Sequence, residues 1–176
     1  MGGGRGKVRI MYQDEAGFGR ISNPAACWVV GKMRPIIAGQ HVREYQYAFG
    51  AIDPRDGEKF FIIAPTCNTA WINAFLKELS KAYPDDYIIL VMDNASWHIS
   101  DKVDLPHNIE IFNIPPYTPQ MNPIEQIWKE LRKGFANKFF NSLSDVMDNL
   151  ELEIENLRAE TIISITYRKW LKRFYA

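Results

Sequence analysis

The sequence predicts an α/β fold in which a mixed sheet, opening with antiparallel strands, is flanked by helices. Three observations predict it. Residues 45–64 hold two strand-like runs around the turn Asp53-Pro-Arg-Asp-Gly57, the pattern of a β-hairpin. The apolar residues Ile88 to Met92 run unbroken and stop at Asp93, as a strand buried on both faces does. Around that run, apolar residues recur every three and four positions, the spacing of helices packed on a sheet.

Taken in order, the first element is the strand 7–14, with Val8, Ile10 and Tyr12 on one row and Asp14 continuing it. Gly17 and Gly19 are expected to break it. Ala26 to Val30 is a second short strand candidate, ended by Gly31-Lys-Met-Arg-Pro35. Strands over about Tyr45–Ile52 and Lys59–Ala64 complete an antiparallel meander. From Asn68 the period becomes helical, with Trp71, Ile72, Phe75, Leu76 and Leu79 on one face up to Pro84, and Asn68 or Thr69 as cap. The strand ending at Asp93 follows, then a short strand over Ile109–Ile114. In the next helix Asn122 suits the N-cap, Pro123 the first position and Glu125 the third, where a capping box places its acid. Ile124, Ile127, Trp128, Leu131 and Phe135 are its buried stripe. Val146, Leu150, Ile154 and Leu157 mark another helix. Ile163, Tyr167, Trp170 and Phe174 mark a last one, interleaved with Arg168, Lys169, Lys172 and Arg173.

At 176 residues the chain fits one domain with a sizeable core. Lys+Arg and Asp+Glu are 21 each, which argues against strong non-specific binding to nucleic acid by this chain alone. Cys27 and Cys67 form no CxxC, and His41, His98 and His107 form no metal-ligand spacing. No apolar run approaches the ~18 residues of a membrane span. Residues 1–6 are not a signal peptide and are expected to be a flexible leader ahead of one domain, 7–176. A reducing, cytoplasmic setting fits all of this.

Three acids stand out. Asp14 lies on a core-facing row, Asp93 ends the central strand, and Glu125 opens the longest helical pattern. An ionised carboxylate beside a buried strand is costly unless something shares its charge. Acids at a first strand, a central strand and a helix start are the arrangement of ribonuclease H-like nucleotidyl-transfer folds. Such a set suits Mg²⁺ or Mn²⁺, hard cations that take oxygen ligands and keep waters for a substrate phosphate. Two such ions about 3.5–4 Å apart neutralise phosphate charge and assist both the attacking and the leaving oxygen. Asp93 is the acid expected to bridge them, with Asp14 and Glu125 completing one site or both.

Three motifs make this specific. Gln13-Asp14-Glu15-Ala16-Gly17-Phe18, Met92-Asp93-Asn94-Ala95-Ser96-Trp97-His98 and Pro115-Pro-Tyr-Thr-Pro-Gln-Met-Asn-Pro-Ile-Glu125-Gln-Ile-Trp128 follow one another in order. Together they resemble the catalytic domain of DDE transposases of the mariner-like superfamily, nearest its bacterial insertion-sequence branch. The third motif matches nearly residue for residue, and the resemblance runs from about Lys7 to the end. It implies metal-dependent cleavage of DNA at transposon ends, then strand transfer by the freed 3′-hydroxyl. It also implies a homodimer or higher oligomer on DNA, near the bacterial nucleoid. The helix-turn-helix modules with which such enzymes usually begin are not expected within these residues.

Each acid has a simpler reading: Glu125 as a capping-box acid, Asp14 as a strand-end turn residue, Asp93 as an Asx-turn acceptor. These explain the acids singly, not their convergence. For DNA the candidates are Asn94, His98, Tyr117, Lys129, Arg132 and Lys133; Trp97 and Trp128 could also stack on bases, although Trp128 fits the helix core better. Two alternatives remain: a truncated relative that regulates or inhibits a full transposase, and another ribonuclease H-like nuclease, for example one cutting RNA–DNA hybrids.

Overall fold

The centre of the sheet is β1, Val8–Ile21, whose residues face a core on both sides. The structure, a computed structural model, describes residues 6–26, 28–31, 36, 38–93, 103–115 and 121–167. β1 pairs antiparallel with β2, His41–Ile52, which pairs antiparallel with β3, Lys59–Ala64. On its other side β1 runs parallel to β4, Tyr87–Met92, and β4 runs parallel to β5, Ile109–Asn113. The order is therefore β3-β2-β1-β4-β5, a mixed sheet with an antiparallel meander first. This is the ribonuclease H-like arrangement that the sequence predicts.

Helices cover both faces. On one, α1 (Thr69–Ala82) lays Ile72, Phe75, Leu76 and Leu79 over Met11, Phe49, Leu90 and Met92. Asn68 caps it, accepting from the Trp71 amide at 3.0 Å. On the other face lie α2 (Ile124–Lys133), α3 (Leu143–Asn156) and α4 (Ala159–Thr166). There Ile124, Ile127, Trp128, Leu131 and Phe135 pack with Tyr12, Ala16, Phe18 and Val91, as the apolar stripe requires. At the far end of β1, buried Arg9 pairs with Asp86 at 2.9 Å and Asp56 at 3.2 Å and lies over the Tyr83 ring.

Four local expectations are corrected. Gly17 and Gly19 do not end β1, which continues to Ile21. Gly19 makes room for an aromatic ring on β2: a Cβ there would stand 2.5 Å from the Tyr45 ring. Residues 26 and 28–31 form no strand; Trp28 and Val30 are fully or nearly fully exposed, and an apolar run becomes a strand only where something covers it. The last helix begins earlier and is built on Ile162 and Thr166, with Tyr167 as its C-cap. Ile163 is only partly buried, and residues 168–176, where the rest of that expected helix falls, lie outside the described residues. Finally, α2 starts at Ile124 after Pro123, so Glu125 occupies its second position and no capping box forms.

Candidate active site

Strand alternation sets the face of the first acid. The last register pair of the parallel strands is Tyr12 with Val91, and both pack against α2. Two residues further on stand Asp14, within β1, and Asp93, the residue after β4; the period of two returns Asp14 to that same face, and Asp93 follows the C-terminal end of β4. Glu15 falls on the opposite face, with Met11 and the residues under α1. Asp14 is partly buried and Asp93 is exposed. The third acid arrives with α2, which lies on this face and carries Glu125, half-buried, in its first turn.

Two hydrogen bonds fasten α2 to β1. The Asn122 side-chain amide donates to the Gln13 carbonyl at 2.9 Å, one residue before Asp14. The Trp128 indole N–H donates to Asp14 Oδ2, also at 2.9 Å. The Asn122 oxygen still accepts from Ile124 N, at 3.4 Å, but the side chain serves mainly to tether the helix start to the strand. Neither bond was read from the sequence. The signals for the second were present: Trp128 follows Glu125 by one helical turn, and a buried indole needs an acceptor.

Burial pushes the Asp14 carboxyl up to about 7. The Trp128 indole and the Glu15 amide oppose that shift, and the negative charges of Glu15 and Glu125 add to it. Two hydrogen bonds thus favour the charged form of Asp14, and they do not outweigh its burial and the neighbouring negative charges. Among the described residues, no three His, Cys, Asp or Glu side chains stand close enough to grip one ion between them.

Of the residues expected to meet DNA, Lys129, Arg132 and Lys133 are exposed on α2. Glu125, Lys129 and Arg132 follow one another at four and three positions, so they share one helix face. The Arg132 guanidinium lies 5.6 Å from the centre of the Phe18 ring. It borders an open cleft of about 320 Å³ lined also by Gly17, Gly19, Tyr45 and Phe135. Lys133 is paired with Glu130 at 2.5 Å. Trp128 is 1% exposed and cannot stack on bases, because Phe18 and Phe61 enclose its ring. Asn94, Trp97, His98 and Tyr117 lie outside the described residues. Cys67 is half-buried, its thiol pushed up to about 11 by burial and the charges of Glu15 and Asp14, which leaves it protonated and unreactive. No helix among the described residues is long and apolar enough to cross a membrane.

Comparison with known proteins bears on the family and the fold. Residues 9–147 match the model of the DDE superfamily endonuclease family. An uncharacterized protein of Sinorhizobium fredii (y4pE/y4sA) is 30% identical over 133 residues, covering 73% of this chain and 98% of its own length. Among solved structures, the Mos1 Strand Transfer Complex shares the fold with a TM-score of 0.71 at 18% identity, over 95% of this chain and 52% of that one. The Mos1 mariner paired end complex with Mn has the same score and identity, over 90% of this chain and 52% of that one. The chain thus spans about half the length of the solved transposase chains that it matches. A family match across most of its length shows that this chain belongs to the DDE superfamily endonucleases.

Proposed function

We propose that this chain is the catalytic domain of a DNA transposase, which cleaves DNA at transposon ends and joins the freed 3′-hydroxyl to a target. The observation that carries the proposal is that α2, which carries Glu125, packs on the face of β1 that carries Asp14 and is bonded to it through Trp128, while Asp93 follows the neighbouring strand β4. The Mos1 structures, one a strand transfer complex and one a paired end complex with Mn, support the reading through their shared fold.

Asp14, Asp93 and Glu125 would hold Mg²⁺ or Mn²⁺, two ions in the full arrangement, and the chemistry of the donors suits such ions. All three are hard oxygen ligands, and Asp14 is bordered by the negative charges of Glu15 and Glu125. When bound, the metal supplies charge neutralisation at the phosphate and activation of the attacking oxygen. The protein would orient the acids: β1 carries Asp14, its parallel neighbour β4 leads into Asp93, and α2, packed on β1, carries Glu125. Lys129 and Arg132, in line with Glu125, offer positive charge to the backbone of a DNA strand lying along α2. The active form is proposed to be a homodimer or higher oligomer assembled on DNA.

The test is strand joining of pre-cleaved element ends with Mn²⁺, using the protein at its natural full length. Asp14→Asn, Asp93→Asn and Glu125→Gln are each expected to lose activity by about 100-fold or more while remaining folded, since a neutral amide is a poor ligand for a hard cation. A Glu125→Gln protein that joins strands at the parent rate would remove Glu125 from the site.

A further inference from the structure

We infer that Trp128 is a positioning residue for Asp14: its indole N–H holds one carboxylate oxygen and so fixes this acid to the helix that carries Glu125. The inference rests on the metal-binding reading of the three acids.

Trp128 is 1% exposed, and a buried indole N–H left without an acceptor is costly. The acceptor it has is not a backbone carbonyl of its own helix but Asp14 Oδ2, 114 residues away in the chain, at 2.9 Å. The ring has little freedom to leave. Phe18 and Phe61 meet it edge-on at centroid distances of 6.3 Å and 5.8 Å. Gly50, the register partner of Asp14 on β2, leaves the space its far edge occupies: a Cβ there would stand 2.8 Å from Trp128 Cη2.

Trp128 lies three residues after Glu125 in α2, so the indole donor and that acid move as one body. The Asn122 bond to Gln13 ties the same helix to β1 on the other side of Glu125. Asp14 is thereby oriented before any cation arrives, and a carboxylate has acceptor positions beyond the one that the indole uses. Locking a ligand in place by an outer hydrogen bond raises metal affinity, and removing such partners typically weakens it by about 10–100-fold.

The experiment compares Mn²⁺ binding by calorimetry in the parent chain, Trp128→Phe, Phe61→Leu and Asp93→Asn. Trp128→Phe keeps an aromatic ring in the core and removes the donor; Phe61→Leu disturbs the same aromatic cluster and leaves the donor. Mn²⁺ affinity is expected to fall about 10-fold or more in Trp128→Phe and to hold in Phe61→Leu, whatever each costs in stability. Equal affinity of Trp128→Phe and parent overturns the role of Trp128. Equal loss in Phe61→Leu also overturns it, because core disruption then explains the effect. A parent that binds Mn²⁺ no better than Asp93→Asn sinks the metal-binding reading itself.

The hydrogen bond is read separately, without metal and without substituting Trp128, so the role stays falsifiable even where Trp128→Phe does not fold. In the parent, the Trp128 indole proton should exchange with solvent about 10-fold more slowly, or slower still, than in Asp14→Ala. Indole exchange at the same rate in both overturns the proposal.

Discussion

Asp14 is where the demands of folding and of the proposed chemistry oppose each other. Its carboxyl stands near 7 in the fold against an ordinary 3.8, mainly because of burial. The folded protein therefore binds this proton more tightly than the unfolded chain does, and protonation stabilises the fold. That contribution is complete below about 4 and is lost as the pH rises through about 7. A shift of this size has a ceiling of about 4 kcal/mol, and the partial exposure of Asp14 lowers what it delivers. In the presence of EDTA, Asp14→Asn is expected to be more stable than the parent by about 1–2 kcal/mol at pH 8 and by almost nothing at pH 4. Urea melts at the two pH values measure it; the same gap at both would show that the ionised carboxylate is not the source. The acid itself was legible, since Asp14 interrupts an apolar row. The indole that holds it was not: the helical stripe places Trp128 in the core, and periodicity says which way a side chain faces, not which atom its nitrogen reaches.

Elements were legible wherever periodicity and burial agree. β3 falls at Lys59–Ala64 as expected, α1 begins after its Asn68 cap, and the Ile88–Met92 run is the interior strand β4. The departures share one cause, a long-range neighbour that local pattern cannot reveal. Gly17 and Gly19 have the composition of a strand break, yet rings from β2 cover them and β1 runs on. Residues 28–30 have the composition of a strand, yet nothing covers Trp28 or Val30. Gly50 shows the same dependence inside the site. A Cβ there would stand 2.5 Å from the Phe61 ring and 2.8 Å from the Trp128 ring, both in a packed core. Gly50→Ala is therefore expected to destabilise the fold by about 1–3 kcal/mol, the ordinary cost of overpacking. It should also displace Trp128 from Asp14, visible as a changed indole resonance. An alanine variant as stable as the parent would mean that the rings yield freely.

At the scale of the whole molecule, the topology sets β1, which carries Asp14, beside β4, which leads into Asp93, and packs α2 with Glu125 on the face of β1 that carries Asp14. The same scale decides how this chain meets DNA. Its charges balance at 21 of each sign, so no strong overall field draws a polyanion to it. Attraction must come from local cations, and on α2 these differ. Lys133 is already paired with Glu130, whereas Arg132 lies over Phe18 beside an open cleft on the face that carries Asp14. The isolated chain is expected to bind duplex DNA weakly and with little sequence preference, its affinity falling steeply with salt. Arg132→Ala should lower the slope of log affinity against log salt by about one unit, as the loss of one phosphate contact does, and should weaken all sequences alike. Lys133→Ala should change the slope less, because its charge is partly shared with Glu130. Fluorescence anisotropy across a salt series measures both. Tight binding to one short sequence, or a slope indifferent to Arg132, would place the DNA-facing surface somewhere other than along α2.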